Sequence, residues 1–148
     1  MSQSAFVYVT YIRATPEKVW SALTEKDFVP SFWFGATMLS DWSKGSAWEM
    51  RHPDGRISDA GEVIESDPPR KLVLAWTHQW RPELKAEGPA RCTMTLEPVR
   101  EATKLTILHE IDKPGSLLIS AVSDGWPKIL SNLKSLLETG EVVLTLKP

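Results

Sequence analysis

The sequence predicts an α+β fold: a curved antiparallel sheet of about six or seven strands wrapped around a long C-terminal helix, with two short helices after strand one. Three observations carry this. From Thr37 to Glu110 the chain runs through consecutive strand-like segments, and strands that follow one another directly imply antiparallel pairing. From Ser116 to Glu138 it is apolar and helix-patterned, with Trp126, Ile129, Leu130, Leu133, Leu136 and Leu137 at i, i+3, i+4, i+7, i+10 and i+11. That spacing makes one stripe, which must be buried, and the sheet is its natural partner. Finally, Thr15-Pro16-Glu17 starts an early helix: Thr15 suits the N-cap, Pro16 the first helical position and Glu17 the helix dipole.

In chain order, Ala5 to Ile12 is rich in Phe, Val, Tyr and Ile and reads as a strand. Val19, Trp20 and Leu23 give the helix after it an apolar side, and Lys26 to Ser31 reads as a second short helical turn leading into Phe32-Trp33-Phe34. Thr37 to Ser40 is a short strand. Ser46 to Arg51 alternates, with Trp48, Met50 and His52 on one parity. Pro53-Asp54-Gly55 turns the chain into Ile57 to Glu65, and Asp67-Pro68-Pro69 turns it into Lys71 to His78, where Leu72, Leu74, Trp76 and His78 share a face. Gln79 to Pro89, with two prolines and several charges, reads as a long exposed loop. Arg91 to Pro98 and Thr103 to Glu110 form the last strand pair. A proline in a helix interior costs about 3 kcal/mol or more. The expectation is therefore a short segment from about Gly115 to Val122, a break, and a main helix capped by Ser123 or Asp124 with Pro127 in its first turn; Gly140 closes it. The apolar tail Val142-Val143-Leu144-Thr145-Leu146 either packs back on its own sheet, the preferred reading, or pairs as an edge strand with a second chain.

A length of 148 residues fits one domain, 1–148. Seventeen basic and nineteen acidic residues give a net charge of −2 with no basic stripe, so nucleic acid is not an expected partner. Cys92 is the single cysteine and cannot form an intrachain disulfide, which suits a reducing compartment. Neither a signal peptide nor an apolar run near the ~20 residues of a membrane span is visible, so a cytoplasmic protein without membrane contact is expected.

Inward parity assigns a candidate cavity wall: Trp48, Met50, Trp76, Met94, Leu96, Leu105 and Ile107 from the sheet, with Trp126, Ile129, Leu130 and Leu133 from the helix. Trp33, or its neighbours Phe32 and Phe34, adds a side, and His78, His109 and Ser123 are the candidate polar groups. The competing reading is that these apolar side chains simply fill a core. His109, on a face with Leu105 and Ile107, either meets a ligand or carries a proton, or is a core histidine held by a backbone carbonyl, the commoner case. His52 precedes a turn and is expected to be exposed. Glu49, Glu62, Glu65 and Glu110 fall mostly on the solvent parity. Three dispersed histidines and one cysteine have no zinc spacing, no phosphate loop or Gly-x-Ser-x-Gly elbow occurs, and neither metal nor cofactor is expected.

Several local words run through this order: Ala14-Thr15-Pro16-Glu17-Lys18-Val19-Trp20-Ser21-Ala22-Leu23, Gly61-Glu62-Val63-Ile64-Glu65 and Leu72-Val73-Leu74-Ala75-Trp76. The last is Asp124-Gly125-Trp126-Pro127, continuing through Asn132-Leu133-Lys134 to Glu138-Thr139-Gly140. They cover nearly the whole chain and resemble the activators of the heat-shock-protein-90 ATPase and their homologues, in the START-like (SRPBCC) superfamily. The resemblance implies a helix-grip fold with a mainly apolar cavity between sheet and C-terminal helix. It implies a small apolar or aromatic molecule as the first candidate partner. A chaperone or other protein is the second. A cyclase-like or dehydratase-like reaction at His109 or His78 is the third reading, and the chain is expected as a monomer or homodimer.

Overall fold

The computed structural model describes residues 3–145. Seven strands form one antiparallel sheet: β1 (Ser4–Ile12), β2 (Thr37–Ser40), β3 (Ala47–Arg51), β4 (Ile57–Asp67), β5 (Lys71–His78), β6 (Ala90–Val99) and β7 (Ala102–Ile111). Their spatial order is β1-β7-β6-β5-β4-β3-β2, so only β1 joins the sheet out of sequence. Helix α1 (Pro16–Thr24) follows β1, α2 (Pro82–Lys85) lies between β5 and β6, and α3 (Leu117–Thr139) crosses the concave face. This is the α+β helix-grip arrangement. No helix among the described residues is long and apolar enough to cross a membrane.

The inward parity of β6 and β7 is buried as a block, with Cys92, Met94, Leu96, Leu105, Ile107 and His109 all within 2% of full burial. Thr15 caps α1, its side chain accepting from the Lys18 amide at 3.2 Å. The second short helix is a single 3-10 turn, Val29–Ser31, which buries Val29 and delivers Phe32 and Trp33 to the core. In β4 a close approach demands glycine: a Cβ on Gly61 would stand 1.8 Å from the Ala75 carbonyl oxygen. The same oxygen accepts from Trp48 Nε1 at 2.9 Å.

Three expectations are corrected. Helix α3 is continuous through Pro127, capped by Ser116 rather than by Ser123 or Asp124. Leu118 and Ile119 are buried ahead of the proline and Trp126, Ile129, Leu130 and Leu133 around and behind it. Spaced by threes, fours and sevens, these make one unbroken stripe. Full burial of each large apolar side chain contributes roughly 1.5–3 kcal/mol, so keeping both halves in register outweighs the local cost of one proline. Residues 79–89 are not merely an exposed loop, because α2 buries Leu84 and the Glu87 carboxylate binds the start of α3. The tail through Thr145 does not lie on the sheet. Leu144 N donates to Asn132 Oδ1 at 2.7 Å and Asn132 Nδ2 donates back to Leu144 O at 2.9 Å, so a buried amide on α3 substitutes for a strand partner. Leu146 lies outside the described residues.

Candidate functional site

Strand register builds the site. Met50 on β3 pairs with Asp59 on β4, and Asp59 with His78 on β5, which places three inward side chains in a row at one end of the sheet. One rung in, Trp48, Gly61 and Trp76 align. Opposite them α3 presents Leu118, Ala121, Val122, Gly125, Trp126 and Ile129, and the segment after β5 adds Trp80, Arg81 and Leu84. With Trp33, His52 and Ser58 these groups enclose a cleft of about 230 Å³.

Four indoles shape the cleft. Trp33 and Trp126 meet edge to face with centroids 5.2 Å apart, and Trp76 and Trp126 do so at 5.9 Å. Trp80 packs on His52 at 5.0 Å and on His78 at 6.0 Å, with the Arg56 guanidinium 3.8 Å from its ring centroid. Such ring pairs each contribute about 0.5–1.5 kcal/mol beyond area burial.

The polar floor is Asp59. Its Oδ2 accepts from Trp76 Nε1 at 2.7 Å and from His78 Nδ1 at 3.3 Å. Because a carboxylate only accepts, the His78 proton sits on Nδ1 in this pair. His52 Nε2 lies 3.0 Å from Ser58 Oγ, and desolvation lowers the His52 pKa against the opposing charges of Asp59 and Asp54. His109 is wholly buried behind the wall, where its Nδ1 accepts from Trp126 Nε1 at 3.1 Å. Burial lowers its pKa to about 4, against the opposing Asp59 charge, so His109 is neutral at pH 7 with its proton on Nε2.

Of the residues assigned from sequence, Trp33, Met50, Trp76, His78, Trp126 and Ile129 line the cleft. Trp48, Met94, Leu96, Leu105, Ile107, His109, Leu130 and Leu133 are buried core that does not face it. His109 is held by an indole N–H rather than a carbonyl, and Ser123 bonds to the Ser120 carbonyl outside the cleft. His52, expected to be exposed, is half-buried in the lining. The sequence reading missed Asp59, Ser58, Trp80, Arg81 and Leu84. For Asp59 a signal existed, since it shares parity with Gly61 and Val63 on β4. For Trp80, Arg81 and Leu84 it did not, because the turn geometry after His78 places them, and Ser58 stands next to Asp59 on β4 with the opposite parity. Among the described residues, no three His, Cys, Asp or Glu side chains group to hold a metal.

A family model described as activator of Hsp90 ATPase homolog 1-like protein matches residues 13–138. Among solved structures, the chain is similar to the Aha1 dimer from Colwellia psychrerythraea, with 20% identity and a TM-score of 0.75 over 93% of this chain and 98% of that one. It is also similar to the HSP90 activator PFC0360w from Plasmodium falciparum, with 21% identity and a TM-score of 0.74 over 90% of this chain and 95% of that one. CalU16 from Micromonospora echinospora shares 17% identity and a TM-score of 0.74 over 92% and 77% of the two chains. At these identities the likeness is one of fold. Among curated proteins, none matches.

Proposed function

We propose, since this chain belongs to the activator of Hsp90 ATPase homolog 1-like family of the START-like superfamily, that it binds a small apolar or aromatic molecule in the cleft between the sheet and α3. The observation that carries the reading is the convergence of Trp33, Trp76, Trp80 and Trp126 on one space with a single carboxylate at its floor. Small-molecule sites are mostly apolar concavities with a few placed polar groups, and this cleft has that composition. Catalysis gains less support. His109 is walled off behind Trp126, and His78, although it lines the cleft, has its Nδ1 on Asp59 and its Nε2 buried.

Native followed by denaturing mass spectrometry of freshly purified protein tests the reading. An excess mass lost on denaturation is expected for a retained ligand, and a Gly125→Leu variant, whose side chain enters the open space beside α3, should lose it. Excess mass that survives in Gly125→Leu would place the ligand elsewhere. A second reading, a protein partner such as a chaperone, rests on Val7, Val9 and Tyr11, which stand 58%, 43% and 49% exposed along the outer face of β1. A parent protein that leaves a chaperone's ATPase rate unchanged would remove it, and a Val7→Lys, Val9→Lys variant that still changes the rate like the parent would move the contact off β1. The native spectrum also distinguishes monomer from homodimer.

A further inference from the structure

Asp59 is the one carboxylate lining the cleft among the described residues, and it is only 9% exposed. Trp76 and His78 both donate to Oδ2, which leaves Oδ1 without a hydrogen-bond partner among the described residues. Oδ1 is nonetheless not sealed away, unlike the buried Nε2 atoms of His78 and His109. The nearby guanidinium groups are matched elsewhere. Arg56 pairs with Asp54 at 3.1 Å while stacking on Trp80, and Arg81 pairs with Glu83 at 3.7 Å. The cleft therefore carries an oriented carboxylate beside four indoles, held by Trp76 and His78 with no Lys or Arg bound to it.

We propose that the cleft takes an organic cation: a protonated amine whose N–H meets Asp59 Oδ1 and whose alkyl or aryl body packs against Trp33, Trp76, Trp80 and Trp126. This rests on the ligand-binding reading above and names the chemical class of the ligand. Indole faces attract cations through their quadrupole, and the attraction grows once water is excluded. A buried carboxylate favours a charge partner for the same reason. A neutral ligand without a donor would desolvate Oδ1 and give nothing back, and an anion would be repelled.

Three probes of matched shape test this by calorimetry at near-physiological salt: phenethylamine, 2-phenylethanol and 3-phenylpropionate. Phenethylamine is expected to bind at least about tenfold more tightly than 2-phenylethanol, with 3-phenylpropionate weakest. Asp59→Asn should remove that preference while keeping the fold, because the amide oxygen can still accept from Trp76. Equal affinities for amine and alcohol in the parent protein overturn the inference even if Asp59→Asn fails to fold, and leave the ligand-binding reading standing. So does an amine preference that persists in a folded Asp59→Asn. If phenethylamine does not bind, the inference falls; only failure of all three probes, with no excess mass in the native spectrum, takes the ligand-binding reading with it.

Discussion

His109 and Trp126 form a pair with one workable protonation state. The indole can only donate, so imidazole Nδ1 must accept, and adding a proton there would set two donors against each other. The groups around the ring offer little to offset a positive charge; burial dominates and the Asp59 charge opposes it only in part. The folded pKa of about 4 lies below the ordinary 6.5, so between these values the unfolded chain binds more protons than the native one. Stability should thus be whole above pH 6.5 and decline as pH falls toward 4, by roughly 3 kcal/mol in total. Urea midpoints measured across this range should flatten in His109→Gln, whose side-chain oxygen can still accept from Trp126. An unchanged slope would place the titration elsewhere. Strand alternation alone made the inward direction of His109 legible. Its partner was not, since no pattern within β7 says which helix residue will stand over it. Asp59 was hidden for a different reason: an aspartate in a strand reads as solvent-facing until Trp76 and His78 are seen to satisfy it.

Helix α3 shows how an element resolves a conflict between local and non-local terms. The stripe behind Trp126 was legible from spacing, and so was the cap at Gly140, whose φ of 87° is the left-handed conformation glycine adopts freely. What spacing alone could not weigh was the burial of Leu118 and Ile119, which keeps the helix intact across Pro127. Two residues in that helix should accordingly be improvable. Gly125 has nothing within 4 Å of an added Cβ, so Gly125→Ala is expected to raise stability by about 1 kcal/mol. Pro127→Ala restores a backbone donor and should also stabilise, by less than the ~3 kcal/mol propensity gap because the unfolded chain regains freedom. A lower Tm for Pro127→Ala would show that the helix needs its proline. Gly61→Ala should go the other way. Its methyl meets the Ala75 backbone oxygen, an atom the sheet cannot move aside, and a loss of at least about 2 kcal/mol in chemical denaturation is expected.

At the scale of the whole molecule, the cleft exists because two separate units are tied together at one end. The segment after β5 carries Trp80, Arg81 and Leu84, and α3 carries the facing wall. Glu87 joins them: its Oε1 accepts from Ser116 Oγ at 2.6 Å and its Oε2 from the Leu117 amide at 2.7 Å, where the helix dipole favours negative charge. Partial burial pushes the Glu87 pKa up, but the Ser116, Leu117 and Leu118 hydrogen bonds outweigh it, and the net shift is downward. A depressed carboxylate stabilises the fold above its unfolded pKa and loses that contribution as pH falls through its folded value. This tie spans 29 residues and was invisible in the sequence, where residues 79–89 read as free loop. The curved sheet and crossing helix needed no such knowledge, because alternation and stripe specify them locally. Closure of the cleft did need it. Glu87→Gln keeps one acceptor oxygen but removes the charge, and should cost about 1 kcal/mol, the usual scale of a helix cap. It should also speed amide hydrogen exchange at Leu117 and Leu118 and shorten ligand residence, while the β6–β7 ladder stays protected. If exchange accelerates at the helix start yet residence time is unchanged, the two walls are held by the buried contacts of Leu84 and Leu118 rather than by this carboxylate.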